Sequence, residues 1–330
     1  MKRSLWFLIV LLFTGMLLGA VAAFNYWADP AWLFYHKVNG GMEYTYGFNE
    51  RQQKTNRLAF HPPADCDCVI LGSSRTTYVS PKVIKGYQCI NLAANNMGPD
   101  EYMGWLQIWE TLLGKKPKMV VIGLDFWGSN ANEKHAYQPA ASYVVEVRSP
   151  FYRMRSLFSF DVLKQSIGTL AYNRGVPPTD KPLYDREGNK HEFGFTETVR
   201  QKRIHDQLAI FRNLSYGNYV YRDSLPIMYQ QLRDSFPNTR FVVFTTPDSE
   251  PLLAMLTEMD LWDERQRWID DAASVFDTVH HFMYRNTFSM DTTNFYDSQH
   301  TTSLAAQKLL GPIFGNGEHQ GTVITRLKGK

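Results

Sequence analysis

The chain has 330 residues, 44% of them hydrophobic, 14% aromatic and 20% charged, with 35 Lys and Arg against 32 Asp and Glu and so a formal charge of +3. This composition excludes a disordered or collagen-like chain and accommodates one large domain or two small ones. The positive excess sits at the ends: without Lys2, Arg3, Arg326, Lys328 and Lys330, 30 basic face 32 acidic side chains, and the net charge of −2 leaves no basic patch for nucleic acid.

From Leu5 to Phe24 no residue is charged, and such a stretch of 20 residues rises about 30 Å as a helix, the thickness of a bilayer's hydrocarbon core. The pattern predicts a cytoplasmic tail over 1–4 and a single transmembrane anchor over 5–24, with Lys2 and Arg3 keeping the N-terminus inside and the remainder outside. A signal peptide cleaved near Ala20-Val21-Ala22 is the rival reading, but the run is longer than the ~7–15-residue apolar core of such peptides. Residues 25–60 read as a juxtamembrane connector. Tyr26, Trp27, Trp32, Phe34 and Tyr35 suit the membrane edge, where one end of a ring is apolar and the other wet, although core packing explains Trp32 and Phe34 equally well. Asp29-Pro30 should end the helix, because proline forces its predecessor out of the α region.

An α/β domain is expected over 61–315. Cys68–Leu71 is wholly apolar, as a strand buried on both faces requires, and Gly72-Ser73-Ser74-Arg75 follows as a tight turn. Ser80-Pro81 supplies an N-cap and first-turn proline for a short helix that Gly86 ends. Cys89–Leu92 is a second strand. Apolar Met103, Leu106, Trp109 and Leu113 recur at helical spacing over Pro99–Leu113, with an acidic first turn and Gly114 as stop. Met119–Leu124 is a third strand, and three strands with helical crossovers predict a parallel sheet. Residues of about 128–238 read as a mostly helical insertion, with a helix from Ser149-Pro150 to about Leu170, a hairpin turn at Asp185-Arg186-Glu187-Gly188 and a helix over Thr196–Phe211. Phe241–Phe244 resumes the strand pattern. Helices follow around Leu261–Phe276 and over Ser303–Leu310, and 316–330 is a C-terminal tail.

Cys66, Cys68 and Cys89 are too few for a disulfide scaffold and lack zinc spacing. They read as buried thiols, with a Cys66–Cys89 bridge the alternative in an oxidising compartment; which of Cys66 and Cys68 pairs with Cys89 stays open. His280-His281 has diverging side chains and no third ligand, so neither a metal nor a cofactor is expected.

Two clusters place reactive residue types at the ends of elements. Gly72-Ser73-Ser74-Arg75-Thr76 follows the first strand, where open parallel sheets bind their ligands. Asp297-x-x-His300 precedes the last helix, so a carboxylate there can orient an imidazole, and the imidazole can activate a serine that is a weak nucleophile alone. Arg75 is expected to hold its turn through an ion pair to Asp125.

These residues resemble the SGNH (GDSL-like) hydrolase superfamily, and more closely its membrane-anchored Gly-Ser-Ser branch, which includes the D-alanine transfer protein and polysaccharide O-acetylation proteins. Gly72-Ser73-Ser74-Arg75-Thr76 resembles the family's nucleophile block, with Ser73 in place of its aspartate, and Asp297-x-x-His300 its C-terminal block. The Asn-Tyr-x-x-Asp-Pro run at 25–30 is similar to the anchored branch. The resemblance implies a three-layer α/β/α fold with a mainly parallel, flavodoxin-like sheet, Ser74 as nucleophile, His300 as base and Asp297 as its partner. Asn96 stands where the family's second block has an oxyanion-donating glycine. The third block is absent, since Asp125-Phe126-Trp127 follows the third strand, so Asn95, Asn96 and Asn130 are the oxyanion candidates.

The expected function is a serine esterase or O-acyltransferase, single-pass in the bacterial cytoplasmic membrane, with its catalytic domain in the periplasm or outside the cell. The resemblance implies an acylated envelope carbohydrate or acyl donor as substrate and a multi-span membrane acyltransferase as partner. The alternative is a non-catalytic envelope protein that binds polysaccharide or an assembly partner.

Overall fold

A computed structural model describes residues 3–34, 41–46, 49–133, 137–175, 183–192, 196–315 and 321–325. The expectations for Lys2, the Arg3 side chain and Tyr35 lie outside the described residues. The chain forms two compact units, Met1–Pro62 with Ser142–Gly188, and Pro63–Ala141 with Asn189–Lys330.

In the second unit the apolar runs become strands β1 (Cys68–Gly72), β2 (Cys89–Asn91), β3 (Met119–Leu124) and β4 (Arg240–Thr245), joined by β5 (Thr278–His281) and β6 (Thr322–Thr325). They form one sheet in the order β2-β1-β3-β4-β5-β6, parallel throughout except for β6, which pairs antiparallel with β5. Every residue of β1, β2 and β3 is buried, so both faces of this part of the sheet are covered, and each fully buried aliphatic or Phe side chain contributes about 1.5–3 kcal/mol. The longer helices of this unit are α1 (Pro99–Leu113), α2 (Glu197–Ile210), α3 (Leu225–Ser235), α4 (Glu250–Glu258), α5 (Trp262–Phe276) and α6 (Ser303–Leu310). Helix α1 ends where the sequence predicts: Gly114 takes the left-handed conformation, φ 67°, and its N–H donates to the Glu110 carbonyl at 2.9 Å.

Order 2-1-3-4-5 belongs to the doubly wound sheets, in which the direction of strand addition across the sheet reverses between β1 and β3. The loops leaving the carboxyl ends of β1 and β3 therefore diverge at that point and open a crevice.

Cys68 and Cys89 occupy paired positions on β1 and β2, and they form a disulfide. Cys66 is buried and takes no part in it, so the expectation of buried thiols fails for Cys68 and Cys89 and the Cys66–Cys89 alternative is overturned as well. The segment expected as a C-terminal tail contributes β6 from within, and its remaining residues lie outside those described. Ser80 caps only a 3₁₀ turn over Pro81–Val83.

In the first unit a helix runs over Arg3–Ala28, and Ser4–Ala28 is long and apolar enough to cross a membrane. It stops before Asp29-Pro30 as expected. Asp29 takes φ 38° and its carboxylate accepts from the N–H groups of Leu33 and Phe34 at 2.8 and 3.0 Å. Arg186 donates to the Ala28 and Asp29 carbonyls at 2.8 and 3.0 Å, so a cation satisfies the buried helix end.

Residues 25–60 are more than a connector. They contain the helix Glu50–Phe60, whose Arg51, Gln53, Lys54, Thr55, Asn56 and Arg57 are buried. Gln53 and Asn56 donate to the Pro30 and Ala31 carbonyls at 2.5 and 2.8 Å, so polar side chains hold the chain leaving the apolar helix. Trp32 is buried, edge-on to Tyr184, with its indole N–H on the Thr45 hydroxyl at 2.9 Å: a core residue.

The insertion expected at about 128–238 is likewise divided. Residues 142–188 belong to the first unit and 189–238 to the second. The helix predicted from Ser149 to Leu170 breaks into Tyr152–Leu157 and Phe160–Asn173, because the Ser159 hydroxyl accepts from the Val162 N–H and starts a new helix.

Candidate active site

The turn after β1, which carries Ser74, is shaped by two glycines. Gly72, at φ 143°, pairs with Gly123 across β1 and β3. A Cβ on Gly72 would meet the Thr76 side chain and stand 2.8 Å from the Gly123 carbonyl, while one on Gly123 would meet Thr76 and stand 2.9 Å from the Phe244 ring. Thr76 thus fills the space left by two absent side chains, and the chain turns sharply enough to present Ser74. The Ser73 hydroxyl accepts from the Arg75 N–H at 3.2 Å, and the Asn91 amide donates to the Thr76 and Val79 carbonyls, both at 2.9 Å.

The opposing loop, 295–301, is equally constrained. The Ser298 N–H donates to Gln207 of α2 at 2.9 Å, and the Ser249 hydroxyl donates to the Ser298 carbonyl at 2.7 Å. Asp297 Oδ1 accepts from the Gln299 and His300 N–H groups at 2.9 and 2.7 Å.

These two loops bring together Ser74, His300 and Asp297. Ser74 Oγ is 2.7 Å from His300 Nε2, and His300 Nδ1 is 2.7 Å from Asp297 Oδ2. With Nδ1–H donating to the carboxylate, Nε2 is left to accept from the serine hydroxyl. Burial alone would raise the Asp297 carboxyl, but the charge and ring N–H of His300 and the two backbone N–H groups hold it below the usual carboxylate range. The Tyr296 ring stacks on the imidazole, centroids 5.1 Å apart, and its hydroxyl accepts from the Tyr78 hydroxyl at 2.8 Å. Burial, with Tyr78 and Asp297 nearby, raises the Tyr296 hydroxyl well above its ordinary value, so it stays neutral beside the imidazole.

Arg75 ties the two loops together. Its Nε donates to Gln299 Oε1 at 2.8 Å and lies 3.3 Å from Asp125 Oδ1; its Nη1 reaches Asp248 Oδ1 at 2.5 Å and the Thr246 hydroxyl at 3.1 Å. Burial opposes the Arg75 charge, but Asp248 and Asp125 outweigh it and hold its pKa above the ordinary value. Asp248 is raised, by burial first and also by the second carboxylate, because one guanidinium serves two acids.

The oxyanion candidates separate. Asn95 and Asn96 form the exposed turn after β2, and Asn96 takes φ 52°, a conformation Asn tolerates better than most residues. Since β1 lies between β2 and β3, the loops after those strands flank the Ser74 turn, and a small open crevice of about 40 Å³ is lined from both by Asn96, Gly98, Trp127 and Gly128. Asn130 does not qualify. It is buried, its amide donates to the Ser215 carbonyl at 2.8 Å and its oxygen accepts from the Asn132 and Val220 N–H groups, so it braces the 215–220 loop.

Among the described residues no group of three or more His, Cys, Asp and Glu is placed to hold a metal ion. His281 bonds through Nδ1 to the Thr245 hydroxyl at 3.0 Å, and burial, helped by Arg265, pushes its pKa down to about 3. Asp248, Gln299, Gln207 and Tyr296 were not singled out from sequence. Asp248 had a signal, since Thr246-Pro247-Asp248 leaves the carboxyl end of β4, the edge at which parallel sheets assemble sites. No protein-family model matches the chain, and no curated protein matches it.

Proposed function

We propose that the chain is a serine esterase or O-acyltransferase in which Ser74 attacks an ester carbonyl. The observation that carries this reading is the hydrogen-bonded series Ser74, His300, Asp297 at the carboxyl edge of a parallel sheet. His300 Nε2 takes the serine proton as the C–O bond to Ser74 forms, then returns it to the departing alcohol oxygen as the acyl–oxygen bond breaks. A second hydroxyl, of water or of a sugar, gives its proton to His300 and attacks the acyl carbon; the acyl–Ser74 bond then breaks as His300 returns that proton to Ser74 Oγ. Asp297 fixes the tautomer throughout. The backbone of the Asn95-Asn96 turn supplies the oxyanion donors, since Asn130 is engaged elsewhere.

The motifs together with the strand order support an SGNH-like hydrolase of the anchored Gly-Ser-Ser branch. An acylated carbohydrate as substrate and a multi-span acyltransferase as partner rest on that resemblance. The reading places the Ser4–Ala28 helix across the bacterial cytoplasmic membrane, with the sheet on the outer side. Lys2 and Arg3 ahead of the apolar run support this orientation, and the Cys68–Cys89 disulfide suits an oxidising compartment. The test is labelling with a fluorophosphonate probe. The proposal expects stoichiometric labelling, abolished in Ser74→Ala; a folded wild-type chain that never labels returns the site to a binding role.

A further inference from the structure

The helix Phe160–Asn173 is amphipathic in the wrong sense for water. Its buried residues are Ser166 and Thr169, whereas Phe160 and Ile167 are 66% and 54% exposed. Phe160, Lys164 and Ile167 fall at i, i+4 and i+7 and so share one face. The preceding helix, Tyr152–Leu157, repeats the pattern: Met154 is exposed, and Phe151 and Phe158 stand exposed at its two ends. Large apolar groups that a water-facing surface would bury are here turned outward, and they are contiguous in sequence rather than scattered.

Asn25 sets the depth of this surface. It directly follows the uncharged run 5–24, so in a membrane-spanning helix it lies where acyl chains give way to headgroups. Its side-chain amide donates to the Leu157 carbonyl at 2.8 Å and the Ser159 carbonyl at 3.4 Å, and its oxygen accepts from the Ser166 hydroxyl at 2.9 Å. Phe158 and Phe160 bracket Ser159, so both rings are held within a side chain's length of Asn25. Tyr26 and Trp27, also exposed, stand at the same level. Lys164 belongs to this face, with its Nζ 4.8 Å from the Phe160 ring centroid, whereas exposed Arg155 pairs with Glu146 at 3.8 Å and donates to the Ser149 hydroxyl at 2.6 Å.

We infer that the helices Tyr152–Leu157 and Phe160–Asn173 lie in the headgroup region of the bilayer that holds the anchor. Phe158, Phe160 and Ile167 meet acyl chains, and Lys164 meets a lipid phosphate. The occupant of this face is lipid. Aromatic rings and long basic side chains are the residue types that partition to this boundary, and an anionic headgroup complements Lys164. The first unit is thus attached twice, once through the bilayer and once along its surface. The inference rests on the reading of Ser4–Ala28 as a transmembrane helix.

The test uses the full chain in vesicles of phosphatidylcholine with phosphatidylglycerol, carrying an environment-sensitive fluorophore on Phe158→Cys, Phe160→Cys or Ile167→Cys. Phe13→Cys reports on the anchor, Ile227→Cys on an exposed apolar position of α3, and the unsubstituted chain on background labelling of buried Cys66. Spin-labelled lipid should quench positions 13, 158, 160 and 167 several-fold more than 227, and aqueous iodide should show the reverse order. If 158, 160 and 167 behave like 227 while 13 is quenched by lipid, the inference fails and the anchor stands. If 13 also escapes lipid, the anchor reading fails and takes the inference with it. Protection of 158 and 160 from both quenchers would mean that protein covers this face, which overturns the assignment to lipid.

Discussion

Arg75→Met removes the charge that joins the two site loops while keeping a side chain of similar length. At the observed separations, 2.5 Å to Asp248 and 3.3 Å to Asp125, the gross attractions are about 7 and about 5 kcal/mol in an effective dielectric of about 20. Most of this offsets the cost of taking three charges out of water, and the net loss on removing one member of such a buried set is about 3–5 kcal/mol. Asp125 Oδ2 and Asp248 Oδ2 already lack hydrogen-bond partners, so the variant leaves two under-solvated carboxylates facing each other. Asp248→Asn should cost less, because it removes the repulsion along with the attraction, and Arg75→Met/Asp248→Asn should recover part of the loss. Urea unfolding of the four proteins, extrapolated to zero denaturant, measures each value. Arg75→Lys should keep most of the stability yet lower the labelling rate of Ser74, since an ammonium lacks the planar fork that engages Gln299 and Asp248 together. An Arg75→Met variant within about 1 kcal/mol of wild type, or a double variant no more stable than Arg75→Met, would refute this reasoning.

Asp297→Asn should lower the turnover of an activated ester by about four orders of magnitude with the fold retained, because an amide favours the wrong imidazole tautomer; a drop under tenfold would contradict the role. The Asp297 carboxyl is depressed in the folded state, so its contribution to stability is present above the ordinary carboxylate pKa and is lost as pH falls through the lower folded value, a loss that acid titration of Asp297→Asn should lack. His281 is also depressed, from 6.5 to about 3. Below pH 6.5 the unfolded chain binds a proton that the native chain refuses, which removes about 1.4 kcal/mol of stability per pH unit until the folded value is reached. His281→Gln should flatten that slope, and coincident pH profiles would exclude His281 as its source. Opening the Cys68–Cys89 disulfide, which closes a separation of 21 residues, should cost about 3 kcal/mol on the chain-entropy account; unchanged unfolding of the double Ala variant would argue against it.

What could be read in advance were the elements whose information is local. Met119–Leu124 and Pro99–Leu113 carry their own periodicity and stop signals and appear with the predicted bounds. The reactive residues were legible because two short motifs lie at the ends of such elements. Glu50–Phe60 escaped notice because it has no apolar stripe: its buried face is Gln53, Lys54, Asn56 and Arg57, stabilised by carbonyls and rings far away in sequence. β5 escaped because it alternates burial over only four residues and carries two histidines. Asn130 misled for the opposite reason. Its residue type fits an oxyanion donor, but its side chain points to the 215–220 loop, a direction no spacing encodes. Asp248 carried a signal as a loop residue at the end of β4, but its partner was defined only when the fold placed β4 beside β3 and set that loop against Arg75.

The central claim is that Ser74 is a nucleophile driven by His300. The most direct measurement is rapid quenching of the full chain with a short-chain aryl ester, followed by mass spectrometry of its peptides. The account predicts an acyl group on the Ser74 peptide in wild type, absent in Ser74→Ala and strongly diminished in His300→Ala. Ester turnover that proceeds equally in all three proteins, or an acyl group carried on a different residue, would contradict it.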